Sequence, residues 1–366
     1  MSPLARLPLL FFGMLALVAG VVAGLMRLSV TQIPLPEIAS NWAWGHGILM
    51  IPAFFGTVIS LERAVALARP WAYLAPLSAG LSGLALIVGL PIVIAQGFSI
   101  LGGSILFAGS VLIFRQQTAL YTATLTLGAF GWLAGSMAWL VSGLISPSVP
   151  WWMAFLILTI AGERLELTRY MPTPPRAQQF FGLLTGMILF GLTLAFWEES
   201  IGLKLYAFML VLLAGWLLRY DIARRTIKQT GLTRFIAFCL MGGYLWLATG
   251  GVLGLMGGFE SEAAGTALRD AALHSIFLGF VFSMILGHAP IIFPAIVRIR
   301  IPYHPIFYLP LIMLHITTLA RFVTDFLPSS NVVISWHQLA GLGNAFALAI
   351  FILTMLLSVR KNPKKH

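Results

Sequence analysis

The chain has 366 residues, of which 59% are hydrophobic and 9% charged, with seven histidines, one cysteine and a formal net charge of +11. Soluble domains carry about 25% charged residues, so most of this chain needs lipid as its solvent. A soluble catalytic domain, a nucleic-acid partner and a secreted disulfide scaffold are excluded, and the lone Cys239 excludes thiolate zinc sites and iron–sulfur clusters.

Taken in chain order, apolar runs near 7–28, 42–67, 71–94, 98–114, 118–143, 150–167, 179–197, 201–219, 233–257, 269–296, 304–326 and 332–358 predict twelve transmembrane helices. Backbone groups in lipid must bond internally, which makes each run a helix and the whole chain, 1–366, a single polytopic all-α membrane domain. The first run, preceded by Arg6, is long enough to span, so no cleavable signal is needed. Breakers separate the runs, among them Pro34/Pro36, Pro70, Pro91, Pro147/Pro150, Pro172/Pro174/Pro175, Pro302/Pro305 and Pro328. With both termini cytoplasmic, only Arg27, Lys204, Arg269 and Arg321 of the 22 lysines and arginines fall outside. Such a bias is the positive-inside signature. The net charge is therefore a topology signal, and the Arg360/Lys361/Lys364/Lys365 cluster is placed against anionic lipid heads. Trp42/Trp44, Trp151/Trp152 and Trp336 fit an interfacial belt.

A short motif recurs at the inner ends of the second and sixth runs: Glu62-Arg63 and Glu163-Arg164, 101 residues apart (163 − 62). An interfacial pair whose arginine snorkels to the cytoplasm accounts for Glu62-Arg63. Near the outer face, Arg269 with Asp270 and Arg321 with Asp325 read as exposed ion pairs, with anchoring of an acidic cofactor edge as the alternative.

Five histidines lie inside spans, where an ionisable side chain is a functional hypothesis by default. His46, His274 and His337 each occur shortly after entry from the outer side, on three separate helices, and so share one layer. Two imidazoles facing each other in such a layer suit the axial positions of a haem iron. Gly45, Gly47 and Gly279 would let a flat macrocycle approach. Hydrogen bonding to neighbouring helices is the alternative for each histidine. His288 lies 14 residues beyond His274, on the same helical stripe and about 21 Å away, near the inner surface. His315 is at mid-depth of the next span, and the two form a candidate second metal or proton site. His304 reads as a loop residue beside Pro305, and His366 carries no inferable role.

The string His46-Gly47-Ile48-Leu49-Met50, with Phe54-Phe55 beyond it, resembles the second helix of haem–copper oxidase subunit I. That family has twelve spans in three four-helix arcs. The resemblance implies a low-spin haem held by His46 and, from the tenth helix, His274. The chain departs from the family where a second histidine would stand beside His274, since Ala272 and Ile276 occupy those places. Runs 150–167 and 179–197 hold none of the copper-B histidines. Oxygen reduction by the haem–copper mechanism is not expected. The stretch from His274-Ser275 through Met284-Ile285-Leu286-Gly287-His288 is similar to the late-helix pattern of NnrS-like membrane proteins, which are associated with haem, copper and the response to nitric oxide.

This resemblance implies a haem b, and copper as a second metal, in a bacterial inner-membrane protein acting in electron transfer or nitrosative stress. That role implies a redox partner or respiratory-chain component, and the sequence leaves the oligomeric state open. A twelve-helix secondary transporter with histidine-linked proton coupling, using His315 with Asp221 or Glu163, is the alternative.

Overall fold

The computed structural model describes the backbone of residues 3–29, 37–168, 173–327 and 335–359, and every regular element among them is helical. Pro34, Pro36, Pro172, Pro328, His366 and the Arg360/Lys361/Lys364/Lys365 cluster lie outside the described residues. The long helices are α1 (Leu4–Arg27), α2 (Trp42–Leu67), α3 (Pro70–Ile87), α4 (Ile92–Gln116), α5 (Leu120–Ser142), α6 (Val149–Thr168), α7 (Pro175–Leu194), α8 (Glu199–Tyr220), α9 (Gly231–Gly258), α10 (Ala267–Ile296), α11 (Pro305–Asp325) and α12 (Trp336–Ser358). Among the described residues, eleven are long and apolar enough to cross a membrane, and the chain is a multi-pass membrane protein. The other is α6, whose last turns carry Glu163, Arg164 and Glu166.

One boundary differs from the sequence expectation. The runs at 71–94 and 98–114 meet in the structure at Val88–Pro91, so that α3 stops early and α4 starts early. Gly89 adopts φ +73°, and its N–H reaches the Leu86 carbonyl at 3.2 Å while Leu90 N–H reaches that of Ala85 at 2.8 Å. This paired closure satisfies the orphan carbonyls of a helix end, and Pro91 then opens α4. Val88 and Leu90 keep the segment apolar, which hides the turn from hydropathy.

The residues group into an N-terminal unit, Met1–Gly162, and a C-terminal unit, Glu163–His366. In the N-terminal unit α1, α2 and α3 pack on one another, and α3, α4 and α5 pack in sequence. Gly128, Gly131 and Gly135 line the face of α5 turned to α6. A Cβ at Gly131 would stand 3.0 Å from both the Phe155 amide nitrogen and the Trp151 carbonyl oxygen. Small residues let backbones touch where lipid supplies no hydrophobic drive between helices.

The space so created is filled by rings: Trp132 stacks on Phe155 with centroids 5.4 Å apart, and Trp139 meets Trp152 edge-on. Trp132 Nε1 donates to Ser99 Oγ at 3.2 Å, Ser99 pairs with Ser136 at 2.8 Å, and Trp152 Nε1 donates to Ser136 at 3.4 Å. Trp151 and Trp152 are thus core residues and not belt residues, with Trp152 fully buried, whereas Trp44 and Trp336 are exposed.

In the C-terminal unit consecutive helices pack from α7 through α12. Arg164, at the end of α6, reaches Asp221, just past α8, and both are buried. Asp221 accepts from Arg164 Nε (2.7 Å) and Nη2 (3.0 Å), from Tyr244 Oη (3.0 Å) and from the Ala223 amide (2.6 Å). The two copies of the Glu-Arg motif therefore differ: Glu62 and Arg63 are half-buried, while Arg164 anchors a closed network. The longest helix, α10, has 30 residues.

Candidate functional site

Two of the sequence-selected histidines sit at the same kind of backbone irregularity. In α2, His46 lies three residues before a π-helical stretch, Leu49–Phe55. In α10, His274 immediately precedes another, Ser275–Phe282. A third closes α9 at Gly254–Gly258. π-turns amount to well under about 1% of residues in globular proteins and concentrate at functional sites. They widen the helix and rotate the downstream residues onto a new face.

Each ring is also oriented through Nδ1. His46 Nδ1 lies 2.7 Å from the Gly20 carbonyl of α1, and a Cβ at Gly24 would stand 2.9 Å from His46 Cε1. Gly20 and Gly24 thus form the groove in α1 that receives Met50 and His46. His274 Nδ1 lies 2.9 Å from the carbonyl of Asp270, one turn earlier, and 3.1 Å from its Oδ1. His288 Nδ1 is 2.7 Å from the Met284 carbonyl. In the neutral tautomer that donates from Nδ1, the lone pair resides on Nε2.

His315 is different. Trp246 Nε1, a donor only, reaches His315 Nδ1 at 3.0 Å. The ring proton is then on Nε2, 3.4 Å from Ser283 Oγ, which itself donates to the Cys239 carbonyl at 2.7 Å. Both ring nitrogens of His315 are thus engaged in hydrogen bonds. The reading of Gly279 is corrected, because a Cβ there would collide with the Trp246 ring. It makes room for that indole and not for a macrocycle. His304, exposed in its loop, caps the turn into α11 by accepting from the Ile306 amide at 3.1 Å.

Of the predicted histidine layer, His46 belongs to the N-terminal unit, and His274 and His337 belong to the C-terminal unit. The last two converge on Asp270. His337 Nε2 stands 3.8 Å from Asp270 Oδ2, and its Nδ1 is 3.1 Å from Asp325 Oδ1. Arg321 grips Asp270 bidentately, Nε to Oδ2 at 2.7 Å and Nη2 to Oδ1 at 2.9 Å.

The pairs read from sequence as exposed are therefore rearranged and largely buried. Arg321 pairs with Asp270, Asp325 with His337, and Arg269 donates to the carbonyls of Phe259 and Glu260, both at 2.9 Å. Sequence reasoning singled out these residues singly or as neighbours and missed their convergence. The available signal was their shared position in the first or last turn of three consecutive spans. A separate cavity of ≈ 340 Å³, lined by Thr230, Gly231, Arg234, Phe238, Tyr303 and Tyr308, includes none of the histidines.

The model of a family described as a domain of unknown function, DUF8744, matches residues 6–360, and the chain belongs to that family. No curated protein matches it.

Proposed function

We propose that this member of the DUF8744 family is a haem-binding protein of the bacterial inner membrane, with twelve crossing helices and both termini cytoplasmic. His46, in the N-terminal unit, and His274, in the C-terminal unit, are each a candidate ligand that would hold a haem b. The observation that carries the reading is the matched preparation of the two histidines. Each lies within three residues of a π-helical stretch and has Nδ1 held by a backbone carbonyl. Metal-ligating histidines characteristically donate one ring N–H to such a partner, which fixes the tautomer and presents the other nitrogen. A haem held by imidazole would supply one-electron transfer, at a potential tuned by the hydrogen bonds to its histidines. The residues of this chain orient the rings through the Gly20 and Asp270 carbonyls, and Asp270 is itself held by Arg321.

Electron transfer or a response to nitric oxide is the role we assign, supported by the resemblance of the His274 to His288 stretch to NnrS-like proteins. Copper is left outside the proposal, since both nitrogens of His315 are engaged in hydrogen bonds.

The test is the absorption spectrum of detergent-purified protein, air-oxidised and then reduced, with haem quantified. The reading expects a sharp reduced α-band with about one haem per chain, lost in His46→Ala and in His274→Ala and kept in His304→Ala. A colourless preparation from haem-replete cells, or full haem in both of the first two variants, would return the histidines to hydrogen bonding between helices.

A further inference from the structure

We propose that Asp270, Asp325 and His337 form a binding site for a divalent first-row transition-metal cation, formed where the start of α10, the end of α11 and the start of α12 meet. This goes beyond the haem reading and does not depend on it. One oxygen from each carboxylate and one ring nitrogen of His337 already lie within 4.8 Å of one another. Bonds of about 2.0–2.2 Å to a tetrahedral ion set ligand atoms roughly 3.3–3.6 Å apart. The 3.8 Å between His337 Nε2 and Asp270 Oδ2 is close to that, and the remaining contraction is about one ångström.

A second observation is independent of this spacing. The Asp325 side chain is only 3% exposed, and its Oδ2 has no hydrogen-bond partner among the described residues. A buried acceptor without a donor is costly, and a carboxylate in that state calls for a cation. The charges agree. With both imidazoles neutral, Asp270 and Asp325 bring two negative charges against the single guanidinium of Arg321. Arg321 does not fill the site, because each oxygen of Asp270 retains a second lone pair when one is bonded to the guanidinium.

The local framework holds the ligands in place. Ser335 Oγ accepts from the Gln338 amide at 3.2 Å, and Gln338 Oε1 accepts from the Ser335 amide at 2.8 Å. This reciprocal cap fixes the first turn of α12, where His337 sits. Arg321 fixes Asp270 from the neighbouring helix α11. An imidazole among the donors selects against Mg²⁺ and Ca²⁺, which take oxygen, and favours Zn²⁺ or another first-row ion. Three protein ligands leave a fourth position for water, the arrangement of an open site.

The experiment uses the full chain in detergent, stripped with chelator, titrated with Zn²⁺, desalted and analysed for metal, with haem measured on the same samples. The wild type is expected to retain about one Zn²⁺ per chain and to gain thermal stability on adding it. Asp325→Asn and His337→Gln should each weaken zinc binding by about tenfold or more, with haem content and elution volume unchanged, and His304→Ala should bind as wild type. A wild-type chain that retains no zinc and shows no thermal shift overturns the site whatever the variants do, and so does undiminished binding in both variants. The two proposals fail separately: a haem-free chain that binds zinc through these residues removes only the haem reading. A haem-replete chain that ignores zinc removes only this one.

Discussion

Replacing Arg164 by methionine keeps much of the length of the side chain and removes its charge from a site where it is 3% exposed and Asp221 is 1% exposed. Two of the four hydrogen bonds accepted by Asp221 disappear, those from Nε at 2.7 Å and Nη2 at 3.0 Å. Hydrogen bonds to charged groups contribute about 1.5–3 kcal/mol each, so the two together account for at least about 3 kcal/mol. The carboxylate left behind keeps Tyr244 and the Ala223 amide as donors but loses its counter-ion. Breaking one side of a buried pair costs about 3–5 kcal/mol, and we expect Arg164→Met to lie in that range. Asp221→Leu added to it removes the stranded charge. The double variant should therefore be more stable than Arg164→Met alone, a coupling that a double-mutant cycle isolates. The assay is denaturant unfolding in mixed micelles, monitored by circular dichroism. A single variant within about 1 kcal/mol of wild type, far below the cost of a stranded buried charge, or strictly additive effects, would refute the closed-network reasoning.

Three further outcomes are expected. Gly24→Val sets a branched side chain where a Cβ alone would be 2.9 Å from His46 Cε1, so haem content should fall towards that of His46→Ala, while Gly97→Ala, which meets nothing within 4 Å, should leave it unchanged. Gly131→Leu forces α5 and α6 apart against backbone atoms at 3.0 Å; overpacking of this kind costs about 1–3 kcal/mol, and an unfolding midpoint equal to wild type would count against the glycine-mediated packing. His315→Phe strands the Trp246 indole N–H and should cost about 1–3 kcal/mol without changing haem or zinc content, and a loss of metal there would restore His315 as a ligand.

Eleven of the twelve expected spans were legible because hydropathy alone identifies segments that lipid must solvate, and each predicted run contains a helix. The turn at Val88–Pro91 was not, because it is built from apolar residues and one glycine at φ +73°, invisible to a hydropathy window. Tryptophan reads alike whether it faces lipid headgroups or fills a core, which is why Trp152 was misassigned; what distinguishes it is the glycine face of α5 opposite. The π-turns beside His46 and His274 change hydrogen-bond register without changing composition. Asp221 reads as a candidate for proton coupling and not as half of an ion pair, since its partner Arg164 is 57 residues away in the chain. The Asp270–Arg321–His337–Asp325 cluster draws on three helices, and only the tertiary arrangement shows which acid meets which base.

Helix length gives the metal site a location with respect to water. At about 1.5 Å per residue the 30 residues of α10 extend roughly 45 Å, against a hydrocarbon thickness of about 30 Å. An average tilt of about 20° absorbs only a few ångströms of the excess. Part of α10 is therefore in excess of the hydrocarbon thickness, whereas α3, with 18 residues, is only just long enough to cross. Asp270 is the fourth residue of α10, so with the excess shared between the two ends it would lie at the level of the headgroups. Acyl-chain length then becomes a control on the protein: a thicker bilayer draws Asp270 inward and raises the cost of leaving its carboxylate without a cation.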